Sequence, residues 1–202
     1  MNWENTQQKL KAVGYDVKVD GVVGPKTYAA LLAYVAGKSV NPTTAGLGVG
    51  MDRHAEQSGL TTPARLANFI GQTCHESGGF RYLREIWGPT PAQKKYEGRA
   101  DLGNTQPGDG HRFLGRGILQ ITGRANYAAA GKRLGVDLIA NPEQAEEPAM
   151  AVLTACDFWA THHLNLLADS GAEDAITKKV NGGMTNAVER RKYVARAKGV
   201  LG

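Results

Sequence analysis

The sequence predicts a mainly α-helical protein with one small β element. Apolar residues recur at helical spacing in several stretches, some opened by a proline or a threonine–proline pair. A single run, Ile118–Thr122, alternates apolar and polar residues as an extended segment does. Glycine, at 26 of 202 residues, is abundant enough to supply many tight loops between such elements. A chain of this length holds one sizeable core with room for a small appendage.

Taken in order, residues 3 to 36 read as helix, loop, helix. The first helix carries Trp3, Leu10 and Val13 and closes at Gly14-Tyr15. After the loop Val19–Gly24 the second restarts at Pro25, where the missing N–H is no loss because first-turn donors are unpaired anyway. The stretch from Gly37 to Gly48, rich in Gly, Thr and Pro, reads as a linker. The chain therefore divides into a short helical segment, 1–37, a connecting stretch, 38–59, and a main domain, 60–202. Thr62-Pro63 opens a helix with Leu66, Phe69, Ile70 and Thr73 on one face. Residues 88–117 are rich in Gly and Pro with little periodicity, and so long a loop inside a compact domain is usually functional. In the run that follows, Leu119 and Ile121 would face one side of a strand, and Gln120 and Thr122 the other. Two further helices lie near 148–163 and 188–201.

The net charge of +5 favours an anionic partner, whether nucleic acid, lipid or the carboxylates and phosphates of a cell wall. Nucleic acid is set aside, because no aromatic residues interleave with the cations and no helix-turn-helix or phosphate loop is present. Positive charge gathers near the end, at Lys178, Lys179, Arg190, Arg191, Lys192, Arg196 and Lys198. The last helix could touch anionic lipid weakly through Val194, Ala197 and Leu201, although packing of that face on the core is the stronger expectation. Cys74 and Cys156 lie in apolar helical patterns and read as packed thiols. His75-Glu76 is not the start of a zinc-protease helix, since position 79 is Gly. His162-His163 reads as a surface or core pair, so no metal and no cofactor is assigned.

Chemistry concentrates in Phe69–Phe80, where a helix ends in the carboxylate of Glu76, and a second carboxylate, Glu85, follows nine residues later. Hydrolysis of a sugar–sugar bond needs such a pair: one acid protonates the leaving oxygen while the other activates water.

Five motifs fall in order across residues 60 to 200: His75-Glu76-Ser77, Tyr96–Asn104, Phe113–Thr122, Asn126-Tyr127 and Val180–Gly183. Together they resemble the chitinases of glycoside hydrolase family 19, most closely the branch that bacteriophages use as endolysins. The resemblance implies a lysozyme-like fold, helical with a small β element at the cleft, and hydrolysis with inversion of β-1,4 bonds between N-acetylated sugars. It makes Glu76 the general acid, kept protonated by a partly apolar setting, and Glu85 the general base. Thr122 takes the place of the family residue that orients the attacking water. Gln120, Asn126, Tyr127, Asn181, Tyr96 and Arg190 match substrate-site positions, Arg190 as an arginine that pairs with the acidic cluster. Inversion needs room for water, so a carboxyl separation of roughly 6.5–9.5 Å is expected. Plant members carry a glutamate where this chain has Thr185, which puts their carboxylate–arginine network in doubt here.

The N-terminal segment, with Leu10–Tyr15, Val19–Thr27 and Ala29–Leu32, resembles the helical peptidoglycan-binding module of wall hydrolases, shortened to some 35 residues. The start of the chain lacks the apolar core of a signal peptide. The expectation is a monomer made in the host bacterial cytoplasm that reaches peptidoglycan glycan strands through a separate pore-forming protein and lyses the cell. A chitinase acting on chitin oligomers, or an inactive wall-binding protein, is the alternative.

Overall fold

A computed structural model describes residues 1–202. Its helices are α1 (Trp3–Ala12), α2 (Pro25–Ala36), α3 (Pro42–His54), α4 (Pro63–Glu76), the short α5 (Pro91–Lys94) and α6 (Asp109–Arg112), α7 (Arg124–Leu134), α8 (Pro148–Thr161), α9 (Leu164–Asp169), α10 (Glu173–Asn181) and α11 (Ala187–Leu201). Single 3₁₀ turns occupy Ala100–Leu102 and Pro142–Glu146. No helix is long and apolar enough to cross a membrane.

The central helix is α4. Thr62 caps it by accepting from the Arg65 N–H, and Pro63 fills its first turn. Its apolar face meets α8 through Phe69 and Trp159, which pack edge to face with centroids 5.3 Å apart. On another face Gly71 lets α11 approach closely. A Cβ there would lie 2.4 Å from the Val194 side chain, so no larger residue fits without moving the helix. Val194, Ala197 and Leu201 are buried, as the packing reading of this face expects, so the apolar face that lipid would take packs inward.

The stretch expected to be a linker is a helix. Asn41 and Thr44 form a reciprocal capping box around Pro42, and α3 follows with Leu47 and Met51 buried. Its glycines are contact points, not hinges. A Cβ on Gly48 would lie 2.4 Å from the Pro25 carbonyl oxygen of α2, and one on Gly50 would lie 2.9 Å from Val152 of α8. Leu10, Tyr28 and Leu31 belong to the same core cluster as Met51, Phe69 and Trp159, so residues 1–59 and the rest share one core. Val13, expected to point inward, is exposed. Gln7 holds the Val19–Gly24 loop on this core, donating to the Val22 carbonyl and accepting from the Asp20 and Gly21 N–H groups.

A second, smaller cluster comprises Phe113, Tyr127, Ala130, Leu138 and Ala145. Between the two runs the β element. Glu85 N–H donates to Gly115 O and Gly117 N–H to Leu83 O, each at 2.8 Å, so that Arg84 pairs antiparallel with Arg116. Arg116 pairs in turn with Ile121. The strand expected at 118–122 is thus a tight turn. Gly117 (φ +82°) and Gln120 (φ +52°) leave the extended region, and the chain doubles back at once.

Candidate active site

Glu76 ends α4 and belongs to the large lobe. Its carboxylate accepts from Arg190 Nη2, and Arg190 is almost wholly buried, at 2% exposure. The same guanidinium donates to Gln72 Oε1 at 2.8 Å, to Asn181 Oδ1 at 3.3 Å and to the Thr185 carbonyl at 3.4 Å. Gln72, one turn before Glu76, donates in turn to Thr177 Oγ1 at 2.9 Å. A planar fork with five donors can satisfy acceptors from several elements at once, and here it ties α4, α10 and α11 together under the carboxylate. The polar cradle replaces the partly apolar setting expected around Glu76. It also shows that the guanidinium network survives the loss of a glutamate at 185, because the backbone carbonyl of Thr185 takes up the Nε donor.

His75 sits beside it, with Nδ1 3.3 Å from Glu189 Oε2. Burial and then the nearby Arg190 charge hold its pKa below the ordinary value, so the contact is that of a neutral imidazole at neutral pH.

Eight ordered residues lead from Glu76 to Glu85. Ser77 Oγ donates to Thr73 O and accepts from Phe80 N–H, which closes a turn around the buried Phe80. The chain then enters the pairing with Gly115–Gly117, and alternation along this short extended piece sends the Glu85 and Arg84 side chains to opposite faces. Glu85 receives three donors: Gly115 N–H at 3.1 Å, Gln93 Nε2 at 3.0 Å and Tyr96 Oη–H at 3.4 Å. Burial, then the Glu85 charge, raise the Tyr96 pKa, which keeps the phenol a donor.

Gly115 is the point of convergence. A Cβ built on it would lie 2.6 Å from Gln120 Oε1, 3.2 Å from Thr122 Oγ1 and 3.3 Å from Glu85 Oε2. Three oxygens from three positions therefore pack against Gly115 more closely than any residue with a Cβ would allow. Gln120 is fixed by donating to Gly117 O at 2.8 Å, and Thr122 by donating to Gln120 O at 3.0 Å. Asn126, on the first turn of α7, donates to Thr122 O at 2.7 Å. A cavity of about 530 Å³ opens beside Gln120, Thr122 and Asn126, walled on its far side by Thr154, Phe158 and His162 of the α8 region. The long Gly- and Pro-rich loop is braced behind the site. Asn104 donates to Tyr96 O and accepts from Arg124 N–H, while Asp109 pairs with Arg124 at 2.5 Å. That hydrogen bond holds the Asp109 carboxyl below its ordinary pKa.

The profile of class I chitinases, glycoside hydrolase family 19, matches residues 21–192. The chain belongs to glycoside hydrolase family 19. A family 19 domain-containing protein of Haemophilus influenzae is 33% identical over 165 residues, covering 68% of this chain and 80% of that protein. An endochitinase of Arabidopsis thaliana is 35% identical over 133 residues, covering 65% of this chain but 44% of the plant protein. The chain thus spans less than half of that plant relative. Among solved structures, a bacterial family 19 chitinase superposes with a TM-score of 0.69 at 23% identity, over 86% of this chain and 94% of that one. Chitinase C of Streptomyces griseus gives 0.67 at 21%, over 90% and 95%. These neighbours share the lysozyme-like fold, and the protein is a chitinase-like glycoside hydrolase.

Within this family 19 site, four of the expected substrate residues make contacts inside the protein, and one of them, Tyr127, lies where no sugar could reach. Tyr127 is fully buried: its hydroxyl donates to Leu114 O at 2.7 Å and accepts from Arg116 Nη1, and burial pushes its pKa up to about 12. It belongs to the small core. Arg190 spends its donors on Glu76 and its neighbours, so it positions the carboxylate. Asn181 and Tyr96 each hold a partner, Arg190 and Glu85 respectively, while keeping part of their surface open. Gln93 escaped the sequence reading. It is 5% exposed, donates to Glu85 and to Ile86 O, and accepts from Gly88 and Thr90 N–H. The Thr90-Pro-Ala-Gln93 capping box was the signal that could have found it. Cys74 and Cys156 are free and buried, their pKa values pushed up to about 12 and about 11. His162 stacks on Phe158 at 4.0 Å.

Proposed function

We propose that this family 19 hydrolase is an endolysin that cuts β-1,4 bonds in the glycan strands of bacterial peptidoglycan, with inversion. The observation that carries the chemistry is the gathering of Glu85, Gln120 and Thr122 oxygens around Gly115. A water bound by these side chains would face a carboxylate able to take its proton and two side-chain oxygens able to fix its orientation. Glu76, at the end of α4, gives its proton to the leaving oxygen, and Arg190 holds it in place. Glu85 becomes the protonated partner as water attacks the anomeric carbon, so the new reducing end carries the opposite configuration.

Peptidoglycan is favoured as substrate by the net charge of +5, which suits an anionic wall, and by the short span from Glu76 to Gly115. The lytic role follows from that substrate, with release through a separate pore-forming protein. A chitinase reading is supported by the names of the plant relatives, which are endochitinases. Digestion of purified peptidoglycan by the wild type and by Glu76→Gln, with mass spectrometry of the released ends, separates the two. New N-acetylmuramic acid reducing ends, absent with the variant, are expected. Cleavage of chitin oligomers with none of the wall would turn the reading to a chitinase.

A further inference from the structure

Apart from the cleft, the molecule carries a groove of about 840 Å³ between the end of α1, α2, α3 and α11. A second hollow of about 480 Å³ lies over Asn186, Glu189, Lys192 and Tyr193, and Arg196 lines both. Asn186 is in contact with His75, the neighbour of Glu76, at 3.5 Å. The surface therefore runs from beside the acid, past Arg196, to Lys38 and Lys26.

Its charge is one-sided. Lys26, Lys38, Lys192 and Arg196 line it and none makes an ion pair, whereas most other arginines near acids in this protein are paired. The acids in it are Asp16 and Glu189, and Glu189 already faces His75. The cations are also held in place without being neutralised. Arg196 stacks on the Tyr34 ring at 4.7 Å, which spends its flat face and leaves its N–H donors free. Tyr34 packs edge-on to Tyr15, whose hydroxyl donates to the Lys38 carbonyl at 2.7 Å. Lys38 Nζ would lie 3.2 Å from a Cβ on Gly79, three residues beyond Glu76, so its charge reaches the turn that follows the acid. Val13 and Val40, both exposed, form apolar walls.

We propose that this groove binds the short acidic peptides that branch from peptidoglycan strands, and that it selects peptide-bearing glycan over bare glycan. Such a peptide offers free carboxylates to Arg196, Lys38 and Lys26 and small aliphatic side chains to Val13 and Val40. Chitin offers neither. The inference rests on the peptidoglycan reading, since only there does the substrate carry peptides beside the scissile bond.

The test pairs Lys38→Glu/Arg196→Glu with the wild type on two substrates: intact peptidoglycan, and the same material stripped of its peptides by an amidase. Reversing the exposed charge of Arg196 and the half-buried one of Lys38 should lower kcat/KM on intact wall about tenfold, mainly through KM, and leave the stripped glycan within about twofold. Thermal melting of the variant checks its fold. Titration of the free tetrapeptide into each protein, followed by NMR, reads the groove without turnover. Equal losses on both substrates, or an unchanged preference together with unchanged peptide binding, would overturn the proposal while leaving wall hydrolysis standing. Peptide binding lost in the variant, with no wall cleavage by the wild type, would instead keep the groove and remove the endolysin reading.

Discussion

Replacing Gly115 by alanine should separate catalysis from stability. Gly115 does not need a left-handed backbone, so alanine is conformationally permitted. Its methyl would arrive 2.6 Å from Gln120 Oε1, the end of a flexible side chain, and 3.2–3.3 Å from Thr122 Oγ1 and Glu85 Oε2. The amide of Gln120 must swing away, giving up its hydrogen bond to Gly117 O, which is worth about 1 kcal/mol. The loss of chain freedom in the unfolded state returns about 0.4–1 kcal/mol. Folding stability should therefore move by less than about 1 kcal/mol, or about 2–4 °C in Tm for a chain of this size. Catalysis should respond differently. The methyl pushes apart the oxygens gathered around Gly115, and an unpositioned water loses much of what a general base contributes, about 10²-fold in kcat with KM little changed. Steady-state kinetics on peptidoglycan and a urea melt read the two quantities. A kcat near wild type with the methyl in place would show that the reacting water lies elsewhere. A collapse in stability would show that Gln120 cannot yield and that the site is built more rigidly than argued.

Arg190→Lys keeps a positive charge but gives up the fork that reaches α4, α10 and α11. At least one buried acceptor, Gln72 Oε1, loses its partner, so a destabilisation of about 2–4 kcal/mol in urea is expected, with kcat falling more than KM rises. Unchanged stability would contradict the role given to the fork. Gln93→Ala removes one donor from Glu85 and undoes the capping box of α5, which should cost about 1–2 kcal/mol and lower kcat. A variant with wild-type kcat would mean that Gly115 and Tyr96 suffice to hold Glu85. For pH, burial depresses the His75 pKa in the folded protein, and His54 is depressed by burial in the same sense. The unfolded chain takes up protons near the usual value of about 6.5 and the folded one only at lower pH, so stability is full above that value and falls on acidification through it. Tm should decline from pH 7.5 to 5, and His75→Gln should flatten the decline. An identical slope in the variant would refute the assignment.

Helices whose apolar faces repeat cleanly were legible in the sequence: α4 with its Thr62-Pro63 opening, α8 and α11. α3 was not, because Gly46, Gly48 and Gly50 suggest a flexible linker when only local propensity is weighed. Each glycine costs about 1 kcal/mol of helix propensity, yet close contact with Pro25, Ala29, Pro148 and Val152 outweighs it, and that contact is visible only once the chain is folded. The Asn41-Pro42-Thr43-Thr44 cap was the available local sign. The strand at 118–122 failed for a related reason. Alternation describes the side chains, while Gly117 and Gln120 set a backbone that turns. In the site, residue types marked Glu76, Glu85, Gln120 and Thr122, but type alone could not tell Tyr127, a buried tyrosine satisfied by Leu114 O and Arg116, from a tyrosine in the cleft. The pairing of Arg190 with the acidic cluster was legible from the family resemblance, and the structure shows it bonded to Glu76.

The most direct measurement is the configuration of the newly formed reducing end, read by ¹H NMR in the first minutes of hydrolysis, before mutarotation. A water activated by Glu85 and oriented by Thr122 that attacks from the face opposite the acid must deliver the α anomer from a β-1,4 bond. A first product in the β configuration would mean a covalent or substrate-assisted route, and the division of labour between the two carboxylates proposed here would be wrong.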